Sequence, residues 1–263
     1  MRAYRAVFSA KFRALLQYRA AAAAGLATQA FFGLLRIMIF TAFYASASGD
    51  QPMTLPDVIT YVWLSQGFLM LLPWRPDAEV EALIRNGNVA YELLRPVDLY
   101  GLWFSRALAV RTAPVLLRCA PMFLMAALWF DLGAPAGVAS GLAFCVSMVA
   151  TAALAASLTT LLSISILVTV SGRGVHVLTT SVVNLFSGVI VPLPLLPDWI
   201  QPLVAFLPFR GLLDTPFRLY LGHLPPESVV TAVGHQLLWT AVLVLAGRLI
   251  LAQAVRKIVV QGG

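Results

Sequence analysis

From Pro135 to Val170 the chain carries no charged residue, and the run from Ala20 to Tyr44 holds only Arg36. Such runs leave a polypeptide few options. A bilayer offers no water to backbone N–H and C=O groups, so about 20 mostly apolar residues must close their hydrogen bonds internally as a helix. Further apolar runs lie near Val58–Pro73, Pro114–Phe130, Val175–Val191 and Val233–Leu251, which makes about six candidate spans by that criterion. Only 11% of the 263 residues are charged and 60% are hydrophobic, whereas roughly a quarter of a soluble domain is charged. The expected fold class is all-α, a polytopic membrane protein of about six transmembrane helices in a single transmembrane domain over residues 1–263.

The formal net charge of +7 reads as a topology signal and does not point to a nucleic-acid partner. Arg2, Arg5, Lys11, Arg13 and Arg19 precede the first span, Arg75, Arg85, Arg95, Arg106 and Arg111 lie in or beside residues 76–100, and Arg173, Arg256 and Lys257 fall at later turns or the C-terminus. These are alternate loops. The positive-inside rule therefore predicts a multi-pass protein with both termini and residues 76–100 on the cytoplasmic side.

Residues 76–100, PDAEVEALIRNGNVAYELLRPVDLY, form the one long polar island in the front half. Asp77 can cap a short helix, Glu79 and Glu81 suit its positive end, and Val80, Leu83 and Ile84 share one face before Asn86-Gly87 stops it. A second segment, Val89–Leu94, ends against Pro96, and Asp98 can cap the next helix. The pattern is that of a structured loop gripped by another protein. Residues 1–19 space Tyr4, Phe8, Phe12 and Leu15 helically among basic residues with no acid, which predicts an N-terminal amphipathic interfacial helix.

Within the spans, Arg36 is expected to snorkel or to face a neighbouring helix, and Arg111 and Arg118, seven apart on one face, lie near enough to the cytoplasmic edge to snorkel. At ~1.5 Å per residue, Pro135–Val170 would extend to about 54 Å, so either one long helix projects into the cytoplasm or the Ser/Thr-rich stretch from Ser157 to Thr169 contains a break. A tight turn is expected at Ser171–Gly174. Pro192, Pro194 and Pro197 then forbid a regular helix; Asp198 can cap a short one starting at Trp199, Pro208 stops it, and Phe209–Tyr220 forms a second apolar segment. Residues 192–228 are thus expected to hold outer re-entrant or interfacial helices, too short to span and too apolar for open solvent.

Several chemistries are missing. No phosphate-binding Gly-x-x-x-x-Gly-Lys-Ser/Thr loop occurs, and no acidic residue falls in a predicted bilayer core, which counts against a carboxylate-coupled carrier. His176, His223 and His235 are scattered and form neither a metal set nor a nucleophile–base set. Cys119 and Cys145 lie in apolar runs as small packing residues. The chain is not expected to be an enzyme, to hold a metal or to carry a cofactor of its own. Gln29, Gln66, Asn184 and Phe186 lie in predicted spans, where polar groups must face protein or a cavity, and are the candidates for a substrate pathway.

The run GNVAYELLRPVDLYGLWFSRAL with the upstream EALIRNG, followed by PLPLLPDWIQPLVAFLPFRGLLDTPFRLYLG, resembles the permease subunits of ABC type-2 exporters. The likeness is to the branch of roughly 260-residue, six-span permeases that work with a separately encoded ATPase, and it covers essentially the whole chain. The resemblance implies a bacterial cytoplasmic (inner) membrane protein that forms an export pathway with a second permease, identical or a sister subunit, for an unspecified substrate. Two ABC ATPase subunits, which hold the ATP and Mg, would bind beneath it. On this likeness residues 76–100 become the cytoplasmic coupling helix region, with Glu79, Glu81, Leu83, Arg85, Gly87, Glu92, Arg95 and Pro96 as coupling residues. Pro192, Pro194, Pro197 and Trp199 become the outer gate, and membrane lipid surrounds the rest. The alternative from another class is an ATP-independent channel or secondary carrier.

Overall fold

The computed structural model describes residues 2–169 and 173–256, and it is all-helical there. Eleven α-helices follow in order among the described residues: α1 (Arg2–Leu16), α2 (Arg19–Ser46), α3 (Leu55–Gly67), α4 (Ala78–Arg85), α5 (Val89–Leu93), α6 (Leu99–Trp129), α7 (Val138–Val168), α8 (Arg173–Phe186), α9 (Gln201–Phe206), α10 (Asp214–Leu221) and α11 (Val229–Val255). Four of them, within α2, α6, α7 and α11, are long and apolar enough to cross a membrane.

The expected second and fifth spans are shorter. Helix α3 has 13 residues and α8 has 14, about 20 Å each at the α-helical rise. Their settings differ. Helix α3 opens with a capping box in which Thr54 and Asp57 satisfy each other's backbone N–H groups, and from Tyr61 to Gly67 every residue is buried. A helix walled by protein has no need to match lipid thickness. The chain that follows, a 3-10 turn at Leu69–Leu71 and then Leu72-Pro73, is irregular; Leu69 and Met70 are half-buried and Leu71 to Pro73 are buried, a setting in which irregular backbone is tolerated at membrane depth.

Two long helices are continuous. Helix α6 runs unbroken from Leu99 to Trp129 through Pro114 and Pro121. Proline is tolerated in helices packed among neighbours in a membrane. Helix α7 continues to Val168, so the Ser/Thr-rich stretch does not interrupt it. Ser157, Thr159, Thr160, Ser163 and Ser165 each donate a hydrogen bond to a carbonyl three or four residues back. The hydroxyls are thereby satisfied inside the helix, which can pass through the protein interior. Of the expected Ser171–Gly174 turn, Ser171 and Gly172 lie outside the described residues, as does Lys257, while Gly174 belongs to α8.

Helix α7 is the axis on which the two ends of the molecule are hung. Near its start, Ser147 and Thr151 bond the fully buried Gln236 of α11, and both Thr151 and Gln236 donate to the Gly211 carbonyl, at 2.9 and 2.7 Å. This network seats the outer segment. Near its end, Thr159 accepts from Arg111 of α6 and Ser163 accepts from the Asp77 N–H of the polar island. Tyr61 of α3, Leu154 of α7 and Phe217 of α10 meet in the main apolar core between these ends.

The outer segment is helical in pieces, as its prolines require: 3-10 turns at Leu193–Leu195, Asp198–Ile200 and Pro208–Gly211, with α9 and α10 between and after. Asp198 makes no capping hydrogen bond and the α-helix begins at Gln201, two residues beyond the expected Trp199. Gln201 folds the proline stretch back by donating to the carbonyls of Leu193 and Leu196. Helix α1 is amphipathic as expected, but its apolar side lies on protein: Val7 packs with Tyr100, Leu102 and Trp103, and the Tyr4 hydroxyl accepts from the Asp98 N–H at 3.1 Å.

Gln236→Leu removes the amide that joins α7, α11 and the outer segment and leaves the buried Ser147 hydroxyl without its acceptor. The expected loss is about 2 kcal/mol or more, read as a lower unfolding temperature in detergent than for an exposed control such as Gln17→Leu.

Candidate coupling site

The polar island is held from above by one guanidinium. Arg111 of α6 donates from Nη1 to the Leu72 carbonyl at 2.8 Å, from Nη2 to the Arg75 carbonyl, and from Nε to Thr159 Oγ1 at 2.8 Å. The expected snorkelling is therefore not found. Arg111 spends its donors on backbone that has just left α3, because carbonyls freed by the irregular Leu72–Arg75 stretch need partners in a poorly hydrated site. Arg118, two turns further along the same face, turns to α2. Its guanidinium lies over Gly25, where an added Cβ would stand 2.5 Å from Cζ. Arg36 faces its neighbours, donating to the Val189 carbonyl.

Below the clamp, the Asp77 N–H donates to Ser163 Oγ at 3.0 Å, and the Asp77 carboxylate caps α4 by accepting from the N–H groups of Glu79 and Val80. Val80 is fully buried against the cluster of Tyr100, Trp103 and Ile164. Gly87 takes the left-handed conformation at φ 72° and turns the chain into α5. Glu92, 3% exposed, accepts from Trp103 Nε1 at 2.8 Å and from Arg106 Nη2 at 2.7 Å. A buried carboxylate so paired pins α5 to α6, and leaving either partner alone would strand a charge. Asp98 caps α6 through the Gly101 N–H and pairs with Arg248 at 2.9 Å.

The residues expected to couple thus separate by position. Glu79, Leu83, Glu92 and Arg95 line one groove of about 540 Å³ together with Asn86 and Tyr91. Glu79 also meets Lys11 of α1, which ties the N-terminal helix to the island. Glu81 and Arg85 pair with each other at 2.7 Å on the helix surface. Gly87 and Pro96 are exposed and shape the bends. Among the pathway candidates, Gln29 and Gln66 are brought together: with its nitrogen toward the acceptor, the buried Gln66 amide donates to the Gln29 main-chain carbonyl at 3.1 Å and accepts from Arg36 at 3.0 Å, while the Gln29 side-chain amide makes no hydrogen bond among the described residues. Asn184 lies elsewhere and accepts from Trp74 Nε1 at 2.9 Å, while Phe186 closes α8. At the opposite end, Pro192 is buried, Pro194 half-buried, and Pro197 and Trp199 exposed.

Residues 31–262 match the family described as ABC-2 family transporter proteins. The chain belongs to this family. No curated protein and no solved structure matches it. The matched region contains both the island and the outer segment, whereas α1 and the start of α2 precede it. As an ABC-2 permease the protein is a membrane component and is not itself the ATPase.

On the island of this ABC-2 permease, Tyr91 and Leu94 are 70% and 81% exposed, and sequence reasoning passed over both. The signal was present: three residues apart, they fall on the side of α5 opposite Val89, Glu92 and Leu93. Arg111, Thr159 and Ser163 were missed for a different reason, since only the fold brings them to the island.

In the outer segment the Asp214 carboxyl is buried, and this pushes it from 3.8 up to about 6, against the opposing pull of Arg218 and of the Tyr61 hydroxyl that donates to it. A carboxyl raised on folding contributes stability that is fully present below pH 3.8 and is lost as pH rises through about 6. Purified permease is therefore expected to gain thermal stability between pH 7 and pH 5 relative to Asp214→Asn, whose curve lacks this component.

Arg111→Gln is expected to free the Leu72–Arg75 stretch, with a loss of about 3 kcal/mol from the unpaired groups. Hydrogen exchange over residues 72–85 should rise, while exchange in the first half of α7 stays unchanged.

Proposed function

We propose that this ABC-2 permease is the membrane subunit of an ATP-driven exporter in the bacterial cytoplasmic membrane, with both termini in the cytoplasm. Two copies of a separate ATPase, carrying ATP and Mg, dock on the island. A second permease, identical or a sister chain, completes the pathway.

The observation that carries the reading is the island's surface. It offers a groove with charged rims at Glu79 and Arg95 and two exposed apolar side chains, Tyr91 and Leu94, on a protein face that the charge distribution assigns to the cytoplasm. Apolar anchors ringed by charge suit a protein partner. The island is also joined rigidly to what it would move. Through Arg111 it is fastened to the end of α3, to α6 and to α7, and through Glu92 to α6 again. A displacement imposed at α4 and α5 would pass to those helices as a body. Glu81 and Arg85 give the partner a charged ridge beside the groove, and Gly87 and Pro96 set its outline. Gln29 and Gln66, together with Asn184 and Phe186, are the residues proposed to line the pathway. The proline stretch with Trp199 stands as its outer gate.

Tagged permease extracted from native membranes in mild detergent is expected to bring down an ATPase with a Walker motif, and either a second permease in equal amount or none beyond itself. Tyr91→Ala combined with Leu94→Glu changes exposed side chains only, so the protein should fold and insert normally while ATPase recovery falls about tenfold, the equivalent of ~1.4 kcal/mol. Unchanged recovery in that variant, or a wild-type chain that never carries an ATPase, would overturn the assignment and favour an ATP-independent channel.

A further inference from the structure

On the face opposite the island, a pocket of about 400 Å³ opens among α9, the Pro208–Gly211 turn and α10. Two guanidiniums line it, those of Arg210 and Arg218. Neither has its usual complement of acceptors. Among the described residues, Arg210 has neither a carboxylate partner nor a hydrogen-bond acceptor, and Arg218 reaches only Asp214, at 3.8 Å. The Nε of each is buried and unpartnered. Asp214 is buried, accepts from the Tyr61 hydroxyl at 3.2 Å, and comes within pairing distance of Arg218 and not of Arg210. Asp198 stands at the same pocket without pairing to either arginine.

A guanidinium presents five N–H donors in a planar fork, and withdrawing it from water without an acceptor is unfavourable. A phosphate satisfies two such forks at once, by paired charge-assisted hydrogen bonds. The surroundings indicate where that phosphate comes from. Pro202, Val204 and Ala205 line the pocket from one side of α9, while Leu203 and Phe206 on its other side, and Trp199 just before it, are exposed. Exposed aromatic and apolar residues on a short helix at the end of a membrane bundle belong at head-group depth.

We propose that Arg210 and Arg218 hold the phosphate of an anionic phospholipid of the outer leaflet, whose acyl chains descend beside Leu203 and Phe206. Asp198 then accepts from a head-group hydroxyl, which suits phosphatidylglycerol. The site lies in the segment that includes the outer gate, so a bound lipid would brace α9 and α10 against each other. It requires only this chain in a bilayer and holds whichever partner drives the protein.

The test is lipid titration of the delipidated full-length chain, with adducts counted by native mass spectrometry. Wild type is expected to prefer phosphatidylglycerol over phosphatidylcholine by about tenfold, ~1.4 kcal/mol, and Arg210→Gln with Arg218→Gln should reduce that to near parity. Ala205→Trp is the second variant, since it fills the pocket from an exposed position while keeping both charges; it should lose the preference as well. Retention of the preference in both variants would overturn the proposal. Displacement of phosphatidylglycerol by inorganic phosphate at equal concentration would also overturn it, by showing a site for soluble anions in place of a lipid.

Discussion

The Arg111 guanidinium ties three parts of the chain together, and the start of the polar island depends on it. Helix α3 is short and the chain beyond it is irregular, leaving main-chain carbonyls without helical partners, that of Leu72 in a buried setting. Arg111 supplies the missing donors from a neighbouring helix and binds Thr159 of a third. One side chain thus allows a short central helix, fixes the start of the island and joins α6 to α7. An apolar side chain in its place would leave all these acceptors stranded, and a lysine would bring one compact ammonium where three separated acceptors wait.

Helix α7 carries the complementary logic along its length. Its hydroxyls are small enough to let neighbours approach and polar enough to bind them, which is how helices associate where lipid tails provide no hydrophobic drive. At one end Ser147 and Thr151 meet Gln236 and the Gly211 carbonyl; at the other Thr159 and Ser163 meet Arg111 and the Asp77 N–H. The outer segment and the island are thereby mounted on the same rigid rod. This gives a direct mechanical connection between the island and the outer segment of this ABC-2 permease.

Local chemistry made much of this legible in advance. Asp77 and Asp98 cap α4 and α6, Gly87 turns between α4 and α5, and the prolines from Pro192 to Pro197 keep that stretch from forming a regular helix. Each depends on a residue's own backbone preference or on partners within three positions. What did not read through was set by distant neighbours: which of the two alternatives holds at the end of α7, the packing of α1 on protein, and the inward turn of Glu92 to Trp103 and Arg106. Glu92 illustrates the point. In a polar island it reads as one more surface acid, and only the approach of α6 makes it a buried anchor.

By itself the sequence determined that this chain is a helical membrane protein with one polar island and one proline-broken segment, because bilayer burial, capping and proline geometry act over a few residues. The tertiary structure alone decided which polar groups became structural and which stayed available. Arg111, Gln236 and Glu92 found acceptors and donors far away in the chain, while Tyr91, Leu94, Arg210 and Arg218 were left exposed or unpaired. The reason is physical: in a poorly hydrated interior a polar side chain's role is set by whether a partner lies within hydrogen-bond reach, and that distance exists only once the helices have packed.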